Sequence, residues 1–231
     1  NASWSSAQTY FARHTDLPVP DTPCQDVSYM QGEYLDDYVD FTGDIDAVVV
    51  ENGQKKRKCD ANGWALSPAC RKLVQLGAAG CIPAISYGGW GFHDLAQKAA
   101  FYEMPLAIGA FNWAKYIDIP KKNSTFTYWW TPDSALLHSD PAKVIFPAYD
   151  ADEYSEGIYK SAMAGTRLFK ISSAVIASEV QVQEFVRLME ISVQSIMKLV
   201  VSAQGVPASD HEAVACAWLQ NNPKVWENWL P

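Results

Sequence analysis

The chain has 231 residues, of which 48% are hydrophobic and 13% aromatic, enough for one large domain or two lobes with a buried core and too apolar for a disordered tail. With 18 basic residues against 26 acidic ones the net charge is -8, which argues against a nucleic-acid surface and mildly favours cationic ligands. No apolar run approaches the roughly 20 residues of a membrane helix, so direct membrane insertion is not expected.

Residues 1–25 are polar, with Pro18, Pro20 and Pro23 in close succession, and are expected to form an extended N-terminal arm rather than a helix. The remaining 26–231 read as the folded domain. Tyr34, Leu35, Tyr38 and Val39 form the apolar stripe of a short helix, followed by a turn at Thr42-Gly43-Asp44. Ile45 to Val50 is a β-branched run of the kind found in a strand buried on both faces of a parallel sheet. The basic run Lys55-Lys56-Arg57-Lys58 reads as a solvated loop, and Asn62-Gly63 as a turn. Ser67-Pro68 opens a helix, with a cap residue and a proline at the first helical position. A short strand from Ile82 leads into Tyr87-Gly88-Gly89-Trp90-Gly91, where glycine lets the backbone approach a ligand or take positive φ. A helix over Phe92 to Tyr102 and a buried strand over Met104 to Phe111 complete an alternation that specifies an α/β sheet with covering helices.

Phe126-Thr127-Tyr128-Trp129-Trp130-Thr131-Pro132-Asp133 is a β-favouring aromatic run that should end as a strand at Pro132. Val180 to Ala203 carries a helical apolar period over about six turns, and Gly205 and Pro207 stop it. Ser209-Asp210-His211-Glu212 has the form of a capping box before a last helix, so helices should fill about 180–231.

Of the five cysteines, Cys24, Cys59, Cys70 and Cys81 are disulfide candidates, because there is no C-x-x-C or zinc spacing and the loop cysteines suit an oxidising, extracellular compartment. With Cys216 the count is odd, and Cys24 is expected to be the cysteine that reaches a segment absent from this chain. Asn1 and Asn123 open N-x-[ST] sequons. His14, His93, His138 and His211 are scattered without metal spacing, and no G-x-S-x-G, P-loop or G-x-G-x-x-G occurs. These features predict no metal, no cofactor and no enzymatic activity.

Gly43-Asp44-Ile45-Asp46 leading to Glu51, Trp130-Thr131-Pro132-Asp133, Asp140-Pro141, and Glu212 to Leu219 followed by Trp226 and Trp229 resemble, in this order, motifs of the substrate-binding proteins for glycine betaine and choline that serve ABC importers. The resemblance covers roughly Val27 to Pro231. It implies a type II periplasmic-binding-protein fold of two lobes with a ligand cleft. Here the first strand-helix unit of that fold is lacking, so the chain is expected to be truncated or completed by another chain. It further implies a small-molecule ligand held by ring faces, for which Trp130, Trp90, Trp113, Trp64, Tyr128 and Tyr87 are the candidates, with Asp133 and Glu51 as the acidic residues. Three departures stand out. No ring follows Glu51, Asp133 replaces a histidine, and the Cys59 to Cys81 segment suggests a divergent eukaryotic extracellular relative. Asp133 in place of that histidine favours choline-like over betaine-like ligands. For Trp113 and Trp129 plain core packing is the competing reading, and for Trp218, Trp226 and Trp229 it is packing of the last helix. The functional expectation is a solute-binding module, with a structural or interaction glycoprotein on the same fold as the alternative.

Overall fold

A computed structural model describes residues 10, 11, 17–130, 133, 141–165 and 169–231. Contacts divide the chain into two units, Asn1–Trp129 with Ala142–Ala164, and Trp130–Pro141 with Gly165–Pro231. The first is a mixed α/β unit. The second is helical among its described residues.

The first unit is built on Leu-Ala-Ile-Gly-Ala-Phe, six residues without a charge that form strand β5 (Leu106–Phe111), buried along its whole length. A strand with no solvent face needs partners on both edges and cover on both faces. Strand β4 (Ile82–Tyr87) pairs with it in parallel over six residue pairs, from Ile82 opposite Leu106 to Tyr87 opposite Phe111. The short β3 (Ala65–Leu66) adds antiparallel on the far side of β5, and β6 (Phe126–Thr127) adds parallel to β4, giving the order β3-β5-β4-β6. Successive side chains then feed two cores, as the period of two requires. Leu106, Ile108 and Ala110 face Phe92, Leu95, Ala96 and Ala99, whereas Ala107 and Phe111 face Trp64, Tyr116 and Ile119. The first of these layers is completed by helices α1 (Glu33–Thr42) and α3 (Phe92–Phe101), the second by α4 (Trp113–Lys122).

Helix α2 (Pro68–Gln75) begins where Ser67-Pro68 predicts. The Ser67 hydroxyl accepts from the Cys70 and Leu106 amides at 3.1 Å each and donates to the Met104 carbonyl at 2.7 Å, so one side chain caps the helix and ties it to β5. The proline-rich segment runs along the outer end of β5. Asp21 N–H donates to the Ala110 carbonyl at 2.9 Å, Leu17 and Cys24 are fully buried, and a Cβ on Gly109 would meet Pro20 Cγ at 2.9 Å.

Several expectations are corrected. Ile45–Ala47 is a single 3-10 turn, and β1 (Val48–Glu51) forms an antiparallel hairpin with β2 (Gln54–Arg57) that stands apart from the parallel sheet and, except at Arg57, is partly or wholly exposed. A β-branched run satisfies either setting, and the Asn52-Gly53 turn, both residues at positive φ, selects the hairpin. Lys55, Lys56 and Arg57 of the basic run are therefore strand, not loop, and Arg57 is buried at 1% exposure. The aromatic run forms a strand only over Phe126–Thr127. In the second unit the six-turn helix is two, α6 (Val180–Leu188) and α7 (Val193–Ala203), because Ser192 caps α7 by accepting from the Ser195 amide. The capping box at Ser209 does not form. Its hydroxyl turns to Asp210, and α8 (His211–Asn221) starts beyond a 3-10 turn. Trp226, which ends α9 (Pro223–Trp226), donates its indole N–H to the Leu219 carbonyl, and Trp229 packs edge-on to Phe185.

Cys24 pairs with Cys59 and Cys70 with Cys81, leaving Cys216 free and exposed. The first pairing overturns the expectation that Cys24 bonds outside the chain. Alkylation of the unreduced protein should label Cys216 alone; label at Cys24 would contradict the pairing. The Cys24–Cys59 bond spans 35 residues and Cys70–Cys81 spans 11, so loop-closure entropy assigns them about 4 and about 3 kcal/mol. Urea denaturation of the two double Cys→Ser variants should show the larger loss for the first.

Candidate functional site

Parallel strands leave their C-terminal ends open to ligands, because the covering helices start there. In this chain those ends carry aromatic residues. β4 ends in Tyr87, the turn after it presents Trp90, α4 begins at Trp113 immediately beyond β5, and Tyr128 and Trp129 follow β6. The Tyr87 ring centroid lies 5.1 Å from both Trp90 and Trp113, at interplanar angles of 78° and 75°. Trp129 stacks on Tyr116 at 4.9 Å and on Trp113 at 5.9 Å. Tyr116 is buried, and burial raises its phenol pKa, so the O–H stays protonated and donates to the Tyr128 carbonyl. The outer rings keep much of their surface in water, with Trp90 49%, Trp113 45% and Tyr128 40% exposed.

The local sequence fixes this arrangement. Ser86 Oγ donates to the Trp90 carbonyl at 2.8 Å, and Gly88 N–H donates to the Phe111 carbonyl at 2.9 Å, pinning the glycine turn to both strand ends. Gly89 adopts φ +98°, and a Cβ there would meet Val27 Cγ1 at 2.8 Å. Asn112 caps α4 by accepting from the Lys115 amide. Asp21 accepts from the backbone N–H of Asn112 at 2.8 Å and pairs with Lys115, so this carboxylate beside the start of α4 already has a cation.

Four of the expected ligand residues, Trp90, Trp113, Tyr128 and Tyr87, thus come together. Trp64 does not join them. It is fully buried between Phe11 and Phe111. Glu51 lies at the turn of the separate hairpin, paired with Lys56 at 3.1 Å. Trp130, which is exposed, and Asp133, half-buried, belong to the second unit and are not counted with this group. Thr131, Pro132, Asp140, Asn1, His14 and His138 lie outside the described residues. Asn123 follows α4, its amide N–H within 3.3 Å of the Ile119 carbonyl. Among the described residues no group of His, Cys, Asp and Glu is placed to hold a metal ion, and no helix is long and apolar enough to cross a membrane. Sequence reading missed Tyr116 as a neighbour of these rings, and core packing, the competing reading for Trp129, agrees with its half-buried place against the second core layer. The available signal was Tyr116's spacing of three from Trp113 on one helix face.

A second group, of buried polar side chains, lies where α1 meets α3. Tyr38 donates to Asp44 at 2.6 Å, Asp44 also pairs with Arg71, and the Arg57 guanidinium sits 4.2 Å from the Tyr38 ring centroid. His93 packs between Tyr34 and Tyr159, and burial, then the Arg57 charge, pushes its pKa down to about 4.

Two measurements check this geometry. Gly89→Ala should cost roughly 1 to 3 kcal/mol in denaturation experiments, from strained φ and the clash with Val27; a neutral effect would contradict the turn. His93 binds its proton more weakly in the folded chain than at its ordinary 6.5, so its contribution to stability is intact above pH 6.5 and is lost as pH falls toward 4, by about 3 kcal/mol in full. NMR titration should leave the His93 ring neutral at pH 5.5, whereas an inflection near 6.5 would contradict its burial.

Comparison with protein-family models, with curated proteins and with solved structures returns no match for this chain.

Proposed function

We propose that this chain is a non-enzymatic, extracellular solute-binding module of two-lobed, type II binding-protein character, whose ligand is a quaternary ammonium or another small cationic or zwitterionic molecule. The single observation that carries the reading is the cluster of half-exposed rings at the C-terminal ends of the parallel strands. A quaternary ammonium has no N–H to donate, so its recognition depends on ring faces, which attract the charge while the methyl groups leave water. Trp90 and Trp113 each stand nearly perpendicular to the Tyr87 ring between them and keep about half of their surface in water. The two disulfides and the net charge of -8 are compatible with an extracellular protein that receives cations.

Each ring contributes about 0.5 to 2 kcal/mol, so three give a Kd between roughly tens of millimolar and tens of micromolar. An interaction role is the second reading, and one observation favours it. Among the described residues of the helical unit only Trp229 is buried, although α6 and α7 carry Val180, Val182, Val193 and Val201 exposed.

The test is titration of tryptophan fluorescence with choline, glycine betaine and small amino acids. Choline should give a saturable change, and Trp90→Ala or Trp113→Ala should weaken it roughly 2- to 30-fold. Silence across the panel would overturn the ligand role and leave the interaction role.

A further inference from the structure

We propose that the interior of the first unit holds a small anion between Arg57 and His93. This inference is independent of the aromatic cluster and rests on a count of hydrogen-bond donors. Arg57 closes strand β2 and is 1% exposed, and no carboxylate among the described residues pairs with it. Its Nε and Nη1 are buried without a hydrogen-bond partner among the described residues. Asp44, the acid of the same network, is committed elsewhere, one oxygen accepting from Tyr38 and the other from Arg71. Asp44 is thus paired with Arg71 and not with Arg57, and the Arg57 charge is left in a dry setting, where an uncompensated ion is strongly disfavoured. The face of Tyr38 offsets part of that charge, but a ring face satisfies no N–H lying in the guanidinium plane.

His93 supplies a third donor, and the hydrogen bonds fix which nitrogen it is. The Tyr159 amide donates to Gln97 Oε1 at 2.8 Å, which orients the Gln97 amide and makes its Nε2 the donor, to the Gly157 carbonyl at 2.8 Å and to His93 Nε2 at 3.1 Å. His93 Nε2 must therefore accept, and the proton sits on Nδ1. That Nδ1 is also buried without a partner among the described residues. Arg57 and His93 are close enough for the guanidinium charge to act on the imidazole, and Tyr38 and Tyr34, a turn apart on α1, contact Arg57 and His93 respectively. Three unanswered donors, two of them on a buried cation, define the chemistry of what belongs there: a compact monoanion such as a carboxylate or halide, or an inorganic oxyanion. Water would answer the donors but leave the charge.

The experiment is thermal unfolding of the whole chain at constant ionic strength and pH 7, with formate, chloride or phosphate exchanged against a bulky sulfonate too large to be enclosed. The preferred anion should raise Tm saturably, by roughly 5 °C at a hundredfold excess over its Kd, and the three arms distinguish carboxylate, halide and oxyanion. Arg57→Met should abolish the rise. An equal Tm in all four salts, or a rise that survives in Arg57→Met, overturns the proposal. Should that variant not fold, the wild-type protein decides by NMR. The Arg57 Nε–H and His93 Nδ1–H resonances should shift together and saturate with the anion, and resonances that stay still in every salt overturn it.

Discussion

Six rungs of parallel pairing between β4 and β5 hold the first unit in place. Because β5 is buried from end to end, every neighbouring element is positioned by the need to cover it. β3 and β6 take its edge and that of β4, α1 and α3 cover one face, α4 covers the other, and the proline-rich segment lies along its outer end. The same pairing sets Tyr87 opposite Phe111, so that the residues after each strand, Trp90 and Trp113, both reach the Tyr87 ring. The aromatic cluster is thus a consequence of register. A slip of one residue would send Tyr87 to the other face and separate the rings.

Two kinds of polar interaction keep this apolar frame specific. Ser67 serves a helix start and a strand end with one hydroxyl. Gln97, buried on α3, binds the backbone of Gly157 and Tyr159 and so fastens the segment around α5 (Ala151–Ser155) to the sheet's helical layer. Buried amides that use both ends in this way rigidify a fold, since the cost of leaving either end unpaired is high. The polar group around Arg57 and His93 differs in that three of its buried donors have no partner among the described residues.

Much of the first unit was legible where the determinants are local. Ser67-Pro68 announces α2, the apolar run 106–111 announces β5, and the alternation of strand and helix gives the α/β class. The Gly88-Gly89-Trp90-Gly91 turn was recognisable because glycine is needed at positive φ there. What could not be read depends mostly on partners distant in sequence. The β-branched run 45–50 suits an exposed hairpin as well as a buried strand, and here the deciding signal, the Asn52-Gly53 turn, was local and was passed over. The apolar period from Val180 to Ala203 continues smoothly through the break that Ser192 caps. Arg57 sits in a run of four basic residues, and nothing local separates it from Lys55 and Lys56, which stay on the surface. Its burial follows from α1 supplying Tyr38, nineteen positions earlier. Trp64 and Trp90 are alike as sequence, each next to a glycine, yet one fills the core and the other faces water, because Trp64 precedes β3 beside Phe111 while Trp90 lies beyond the end of β4.

We propose that Trp90 and Trp113, each held against Tyr87 at the strand ends, receive the cationic head of a ligand. Intermolecular nuclear Overhauser contacts between choline N-methyl protons and the indole protons of the intact protein test it most directly. Contacts to Trp90 and Trp113, with the N-methyl resonance moved upfield by the ring currents, are the predicted result. Contacts confined to other residues, or an N-methyl resonance unmoved by saturating protein, would contradict it.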